Sequence, residues 1–262
     1  SAMSTVASSP RSRLAGDPAG REARIDLLAG VVPVLAIGAL AGVGAGRGPT
    51  FALWALLVYA VAGATILRTR PERFPGRGMG GANRVTLARL VLSTPIAAFL
   101  LHPAPLGAGA RWWIVGLGTA ALMLDGVDGW WARRTGTGTD FGARFDMETD
   151  AALLLVLSGL AWRSGAVGPW VWGIGALRYA FVAAGAALPA LRGKLGPSLR
   201  RKVVCVIQGI ALLVALGPII PPRVAVPVVA VALASLCVSF VIDTVALLRA
   251  PSAQASDSSI AA

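Results

Sequence analysis

Six of the chain's twelve acidic residues fall between Asp125 and Asp150, and this is where the sequence concentrates groups able to do chemistry. Asp125 and Asp128 are three residues apart, Asp146 and Asp150 four, and such steps return side chains to one face of an α-helix. Gly129 and Ala132 lie beside the first pair, and Gly142 begins an i, i+4, i+8 stripe that continues through Asp146 and Asp150. Two helices joined by a short loop can therefore point four carboxylates into one cavity, while the small residues leave backbone open for a bulky ligand. Carboxylates with no His or Cys among them form a hard, all-oxygen donor set, suited to Mg²⁺ or Mn²⁺ and unsuited to zinc or copper. Hard divalent ions that keep some of their waters usually serve phosphates, and Arg133 and Thr139 are within reach of phosphate oxygens or a nucleotide. Asp150, at the cavity edge, is the best placed to accept a proton. Glu148, about 200° around the helix from Asp146, faces elsewhere and suits an interhelical ion pair. A buried Asp–Arg network, or a proton or cation pathway, is a competing reading of the same acids.

The elements that must hold these residues are transmembrane helices. The 262 residues are 56% hydrophobic and 14% charged, with a mean hydropathy of +0.72, too little polar surface to cover a soluble globule. Eight apolar stretches near the length that crosses a bilayer are read at 26–45, 51–68, 84–101, 111–132, 144–162, 168–189, 203–220 and 224–248. Pro, Gly or Arg punctuates the breaks, as at Arg70-Pro71, Pro103-Ala104-Pro105, Gly196-Pro197 and Pro221-Pro222-Arg223. The acids sit at the facing ends of the fourth and fifth spans. A central intramembrane acid costs roughly 2.5–3.5 kcal/mol on insertion scales, so the cluster requires water, cations or partners. No internal repeat is visible, which weighs against the duplicated halves of many transporters.

Charge gives the orientation. Nineteen of the 24 Lys and Arg fall on one side when loops are counted alternately, and four, Arg47, Arg111, Arg163 and Arg223, fall on the other. Under the positive-inside rule both termini and the acid-bearing loop face the cytoplasm of a cell (inner) membrane protein. This asymmetry accounts for most of the formal charge of +12 and makes solvated, topology-setting roles the default for loop arginines. The bases form no single stripe and aromatics are few, so nucleic acid is excluded as a partner. Cys205 and Cys237 lie in apolar stretches and imply no disulfide, His102 reads as a solvated loop residue, and the tryptophans cluster at span ends as interfacial anchors. Ser1 and Ala2 read as a cloning remnant at the head of a disordered polar leader, 1–25. Two added helices (26–70), a cytoplasmic linker (71–83), a membrane core (84–249) and a disordered tail (250–262) complete the organisation.

Written out, Asp125-x2-Asp128-Gly129-x2-Ala132-Arg133-x8-Gly142-x3-Asp146-x3-Asp150 resembles the signature of the CDP-alcohol phosphotransferase family without departure at its eight positions. Chance would produce such a match on the order of once in ten million. The resemblance implies an all-α, polytopic six-helix core from residue 84 onward, with the first two spans as an addition, and a homodimer. It implies that Asp125, Asp128, Asp146 and Asp150 hold Mg²⁺ or Mn²⁺, that Asp150 is also the general base, and that Gly129, Ala132, Arg133, Thr139 and Gly142 line the nucleotide and pyrophosphate site. Asn83-Arg84-Val85-Thr86 is similar to the family's nucleotide-contacting segment, so Asn83 and Thr86 join the donor site; a plain helix N-cap is the other reading of Asn83.

The implied reaction moves a phosphatidyl group from a CDP-linked donor, CDP-diacylglycerol by expectation, to an alcohol, with release of CMP. Arg178 within the sixth span and Arg200, Arg201 and Lys202 at the next entry are expected to bind a phosphate on the acceptor. Arg178-Tyr179 with Arg201-Lys202 and Gln208 resembles glycerophosphate-accepting members, which makes glycerol 3-phosphate the first choice. Inositol phosphate, serine and phosphatidylglycerol are the alternatives, and a cation or proton transporter is the alternative outside enzymes.

Overall fold

The computed structural model describes residues 18–71, 74, 78–135, 139–188 and 198–249, with the side chains of 18, 127–135 and 186 outside the description. Among the described residues every regular element is helical: α1 (Pro18–Gly44), α2 (Phe51–Thr69), α3 (Gly81–Leu101), α4 (Ala108–Thr135), α5 (Asp140–Arg163), α6 (Trp172–Ala187), α7 (Leu199–Leu216) and α8 (Pro222–Arg249), with one 3₁₀ turn, Pro169–Val171, before α6. The fold is thus an all-α polytopic membrane protein with one helix for each expected span.

Apolar exposure shows which solvent these helices need. Val32, Val231 and Met123 are 72%, 70% and 69% exposed, and a surface this apolar belongs against acyl chains. Four helices, α1, α2, α3 and α8, are long and apolar enough to cross a bilayer by themselves. The other four differ for visible reasons. α4 and α5 carry the acids, α6 has 16 residues and so rises only about 24 Å, and α7 opens on Arg200, Arg201 and Lys202.

Helix ends differ from the hydropathy reading where helix and hydrocarbon do not coincide. α1 begins at Pro18, inside the expected polar leader, because the charged residues of its first three turns, Arg21, Glu22, Arg24 and Asp26, end the apolar run without ending the helix. α7 is displaced toward the N-terminus: Gly217-Pro218, not Pro221-Pro222, ends it, so its three bases lie within its first turns. α3 starts at Gly81, taking three residues from the expected linker. The remainder of the leader and the tail from 250 lie outside the described residues.

α3 is the hub, packing against α1, α2, α4 and α5, while α7 joins α4, α5 and α8. Without a hydrophobic drive between helices in lipid, close approach depends on small residues and buried hydrogen bonds. At Gly38 a Cβ would lie 2.9 Å from the Ala52 Cα, and the Tyr59 hydroxyl donates to the Leu27 carbonyl at 2.8 Å. Gln208, fully buried on α7, donates to Ala232 O of α8 at 2.9 Å. It therefore ties α7 to α8 within the bundle.

The end of the bundle away from the acids is fastened by arginines that the charge reading left to solvent. Arg47 donates to the carbonyls of Ala104 and Pro105, Arg163 to those of Phe99, Leu100 and Ala104, and Arg111 to those of Leu216 and Gly217. Each satisfies carbonyls left without partners at a helix end or in the following loop. Nor is His102 merely solvated: its Nδ1 accepts from Ala104 N, and its ring meets the edges of Phe51 and Trp54. Burial, with Arg47 and Arg163 nearby, lowers its pKa.

Candidate active site

α4 and α5 form the expected hairpin, and α3 supplies what lies between its acids. Asp125 on α4 and Asp146 and Asp150 on α5 each turn one carboxylate oxygen toward the others, all within 4.8 Å. The i, i+4 relationship on α5 thus works as the helical repeat requires. Asp128, Gly129, Ala132 and Arg133 are placed by the backbone of α4, but their side chains lie outside the described residues.

Among the three carboxylates lies the guanidinium of Arg89, 1% exposed. Its Nη1 is 3.0 Å from Asp125 Oδ1 and bonds Asp146, while its Nη2 bonds Asp150. Its Nε is buried with no hydrogen-bond partner among the described residues. The sequence reading counted Arg89 among the loop bases and missed it. The signal was present: a cation nine residues into an apolar helix is costly unless paired, the same logic that singled out Arg178.

The start of α5 is set by Thr139, whose extended backbone stands at the N-cap and whose hydroxyl accepts from Gly142 N at 3.0 Å. Asn83 is not an N-cap. Gly80 holds that position on α3, and the Asn83 amide donates back to Met79 O at 2.6 Å. Its Oδ1 faces α5, where a Cβ on Gly142 would come within 2.6 Å of it. The structure therefore brings Asn83, Thr139 and Gly142 together. Thr86 is 2% exposed, with its hydroxyl donating to Ala82 O at 3.3 Å.

The four bases expected at the acceptor are differently engaged. Arg178 is paired rather than free, bonded to Glu148, which accordingly faces away from the Asp146 side of α5. Arg200 and Arg201 both reach Asp243 of α8, the former at 2.5 Å and the latter at 3.2 Å. Asp243 is buried and anchors α7 to α8. Lys202 is exposed.

Three clustered hard oxygens around a point already occupied by positive charge suit a divalent cation, provided that Arg89 yields some of its contacts. Asp125, Asp146 and Asp150 could all serve such an ion. The family model for CDP-alcohol phosphatidyltransferase matches residues 79–241, from the turn before α3 into α8. No curated protein and no solved structure matches the chain. The family match takes in more than half of the sequence and every acid of the cluster, and on that ground the chain belongs to the CDP-alcohol phosphatidyltransferase family.

Proposed function

We propose that this enzyme transfers the phosphatidyl group of CDP-diacylglycerol to the hydroxyl of a small alcohol, glycerol 3-phosphate by first choice, releasing CMP at the cytoplasmic leaflet of the inner membrane. The family supports the coarser statement, a transferase that moves a phosphatidyl group from a CDP-alcohol. The observation that carries the finer reading is the convergence of Asp125, Asp146 and Asp150 on one point at the facing ends of α4 and α5. A lipid donor reaching such a place keeps its tails in the bilayer while its head meets a soluble acceptor. The homodimer rests on the resemblance alone.

Asp125, Asp128, Asp146 and Asp150 are the residues to hold Mg²⁺ or Mn²⁺. When bound, the ion supplies positive charge that offsets the pyrophosphate and the departing CMP. Asn83, Thr86, Gly129, Ala132, Arg133, Thr139 and Gly142 form the donor-binding group. Asp150 takes the proton of the acceptor hydroxyl as its oxygen attacks the β-phosphorus; the bond from that phosphorus to the bridging oxygen breaks, and CMP departs with its own phosphate. Catalysis of this kind is mostly positioning and electrostatics.

Glycerol 3-phosphate is favoured by the basic residues Arg178, Arg200, Arg201 and Lys202. Three of them hold carboxylates, and a phosphate can exchange with a carboxylate for the same guanidinium. The test is CMP release by purified protein from radiolabelled CDP-diacylglycerol with glycerol 3-phosphate, serine, inositol, inositol phosphate or phosphatidylglycerol. Metal-dependent release with one acceptor, abolished by Asp150→Asn while CDP still binds, is the expected result. Absence of release across the panel, with cation flux in liposomes, would establish the transport reading instead.

A further inference from the structure

Asp26 lies on α1, outside the stretch that the family model matches, yet its side chain ends at the donor side of the site. It is a buried acid, 8% exposed, whose desolvation requires compensation. Its Oδ2 accepts from Met79 N at 2.7 Å and from Arg84 Nε at 3.2 Å, and its Oδ1 accepts from Arg84 Nη2 at 3.0 Å. Met79 is fully buried between Gly78 and Gly80, both at positive φ, 67° and 91°. A side chain at Gly78 would be strained and would also meet Arg84 and Asp26, with Cβ contacts of 2.2 and 2.6 Å. The turn is therefore shaped around this one carboxylate.

What the turn holds is Asn83. The Met79 carbonyl accepts the Asn83 amide, fixing that side chain so that its oxygen, and not its nitrogen, faces Gly142 at the start of α5. Phe74, just before the turn, packs edge-on against Phe141 of α5, 5.6 Å between centroids. A continuous chain of contacts thus runs from α1 through the 78–80 turn to Asn83 and the α5 N-terminus.

We propose that Asp26 is a positioning residue for the nucleotide part of the donor, and that the α1–α2 pair is a working part of the transferase. The proposal rests on the reading of Asn83 as a donor contact. It acts in binding: without the Asp26 carboxylate the Met79 N–H loses its acceptor, the turn relaxes, and Asn83 no longer presents its oxygen in one orientation.

The experiment compares Asn83→Ala, Asp26→Ala and Asp26→Asn in the full-length protein, reading KM for CDP-diacylglycerol, KM for the acceptor, kcat and direct CDP binding. Asn83→Ala and Asp26→Ala are each expected to raise the donor KM and the CDP Kd by about tenfold, with acceptor KM unchanged. Asp26→Asn, which keeps an oxygen for Met79 N–H and a similar shape, is expected to recover most of that loss. A scaffold role alone would reduce the active fraction, lowering kcat at constant donor KM, and that result for Asp26→Ala overturns the proposal. A raised donor KM in Asn83→Ala without one in Asp26→Ala overturns it while sparing the reading of Asn83. An unchanged donor KM in Asn83→Ala removes that reading and the proposal together. Should Asp26→Ala fail to fold, Gly78→Ala decides, since its Cβ would displace Asp26 and Arg84 from the turn: CDP affinity equal to the unsubstituted protein sinks the idea.

Discussion

Arg89 and Asp150 form an ion pair between α3 and α5, with the arginine side chain withdrawn from solvent. The same guanidinium reaches Asp125 and Asp146, so one cation holds together acids from two other helices. Removing one partner of a buried pair typically costs about 3–5 kcal/mol, because the others are left uncompensated. Arg89→Met is expected to lower the thermal unfolding temperature in detergent with EDTA, and Mn²⁺ should raise that temperature more in the variant than in the unsubstituted protein. Equal responses to Mn²⁺ in the two proteins would show that the arginine and the metal do not share these carboxylates.

Metal removal is the second prediction. Chelation should abolish CMP release, with Mg²⁺ or Mn²⁺ restoring it and Zn²⁺ failing to, since the donors are all oxygen. Asp146→Asn should shift the Mn²⁺ activation curve to concentrations higher by about tenfold or more. An unmoved curve would remove Asp146 from the metal site.

Gly142→Ala is expected to act on the donor side, because the new Cβ would fall 2.6 Å from Asn83 Oδ1 and 3.1 Å from Thr139 Oγ1. Overpacking of this kind costs roughly 1–3 kcal/mol, read here mainly as a higher donor KM. Gly116→Ala on α4, where a Cβ meets nothing within 4 Å, is the matched control and should leave kinetics unchanged. Equal donor KM values in the two variants would contradict the close packing of Asn83 against α5.

The basic residues of α7 give a fourth. Asp243→Asn removes the carboxylate that Arg200 and Arg201 share, so a phosphorylated acceptor should bind more tightly if those arginines receive it. Lys202→Glu should raise the acceptor KM several-fold, more at low ionic strength. If both variants bind glycerol 3-phosphate like the unsubstituted protein, these bases serve packing and lipid contact only.

Much of this was legible from residue order because its cause is periodic. The α5 stripe through Asp146 and Asp150 follows from 3.6 residues per turn, and the α4–α5 hairpin from a short loop between apolar runs. Glu148 was read correctly as an ion-pairing residue on another face for the same reason. Arg89 was hidden because its position near a basic helix entry let it pass for a topology signal; its depth in an apolar helix called for a partner, and the packing of α3 against both acid-bearing helices shows which acids those are. The role of Asp26 could not be read from order at all, since its partners Met79 and Arg84 are more than fifty residues away. Arg47, Arg111 and Arg163 were misjudged as solvated because the carbonyls that bind them carry no signature in side-chain sequence.

Those three arginines give the two ends of the bundle different mechanical character. At the far end the guanidiniums grip main-chain oxygens, which no substrate carries away or replaces. At the near end Arg89, Arg178, Arg200 and Arg201 pair with carboxylates, and a pyrophosphate or a cation can compete for a member of such a pair. Exchange of an ionic partner for an arriving ligand is therefore open to the acid-bearing end and closed to these far-end contacts.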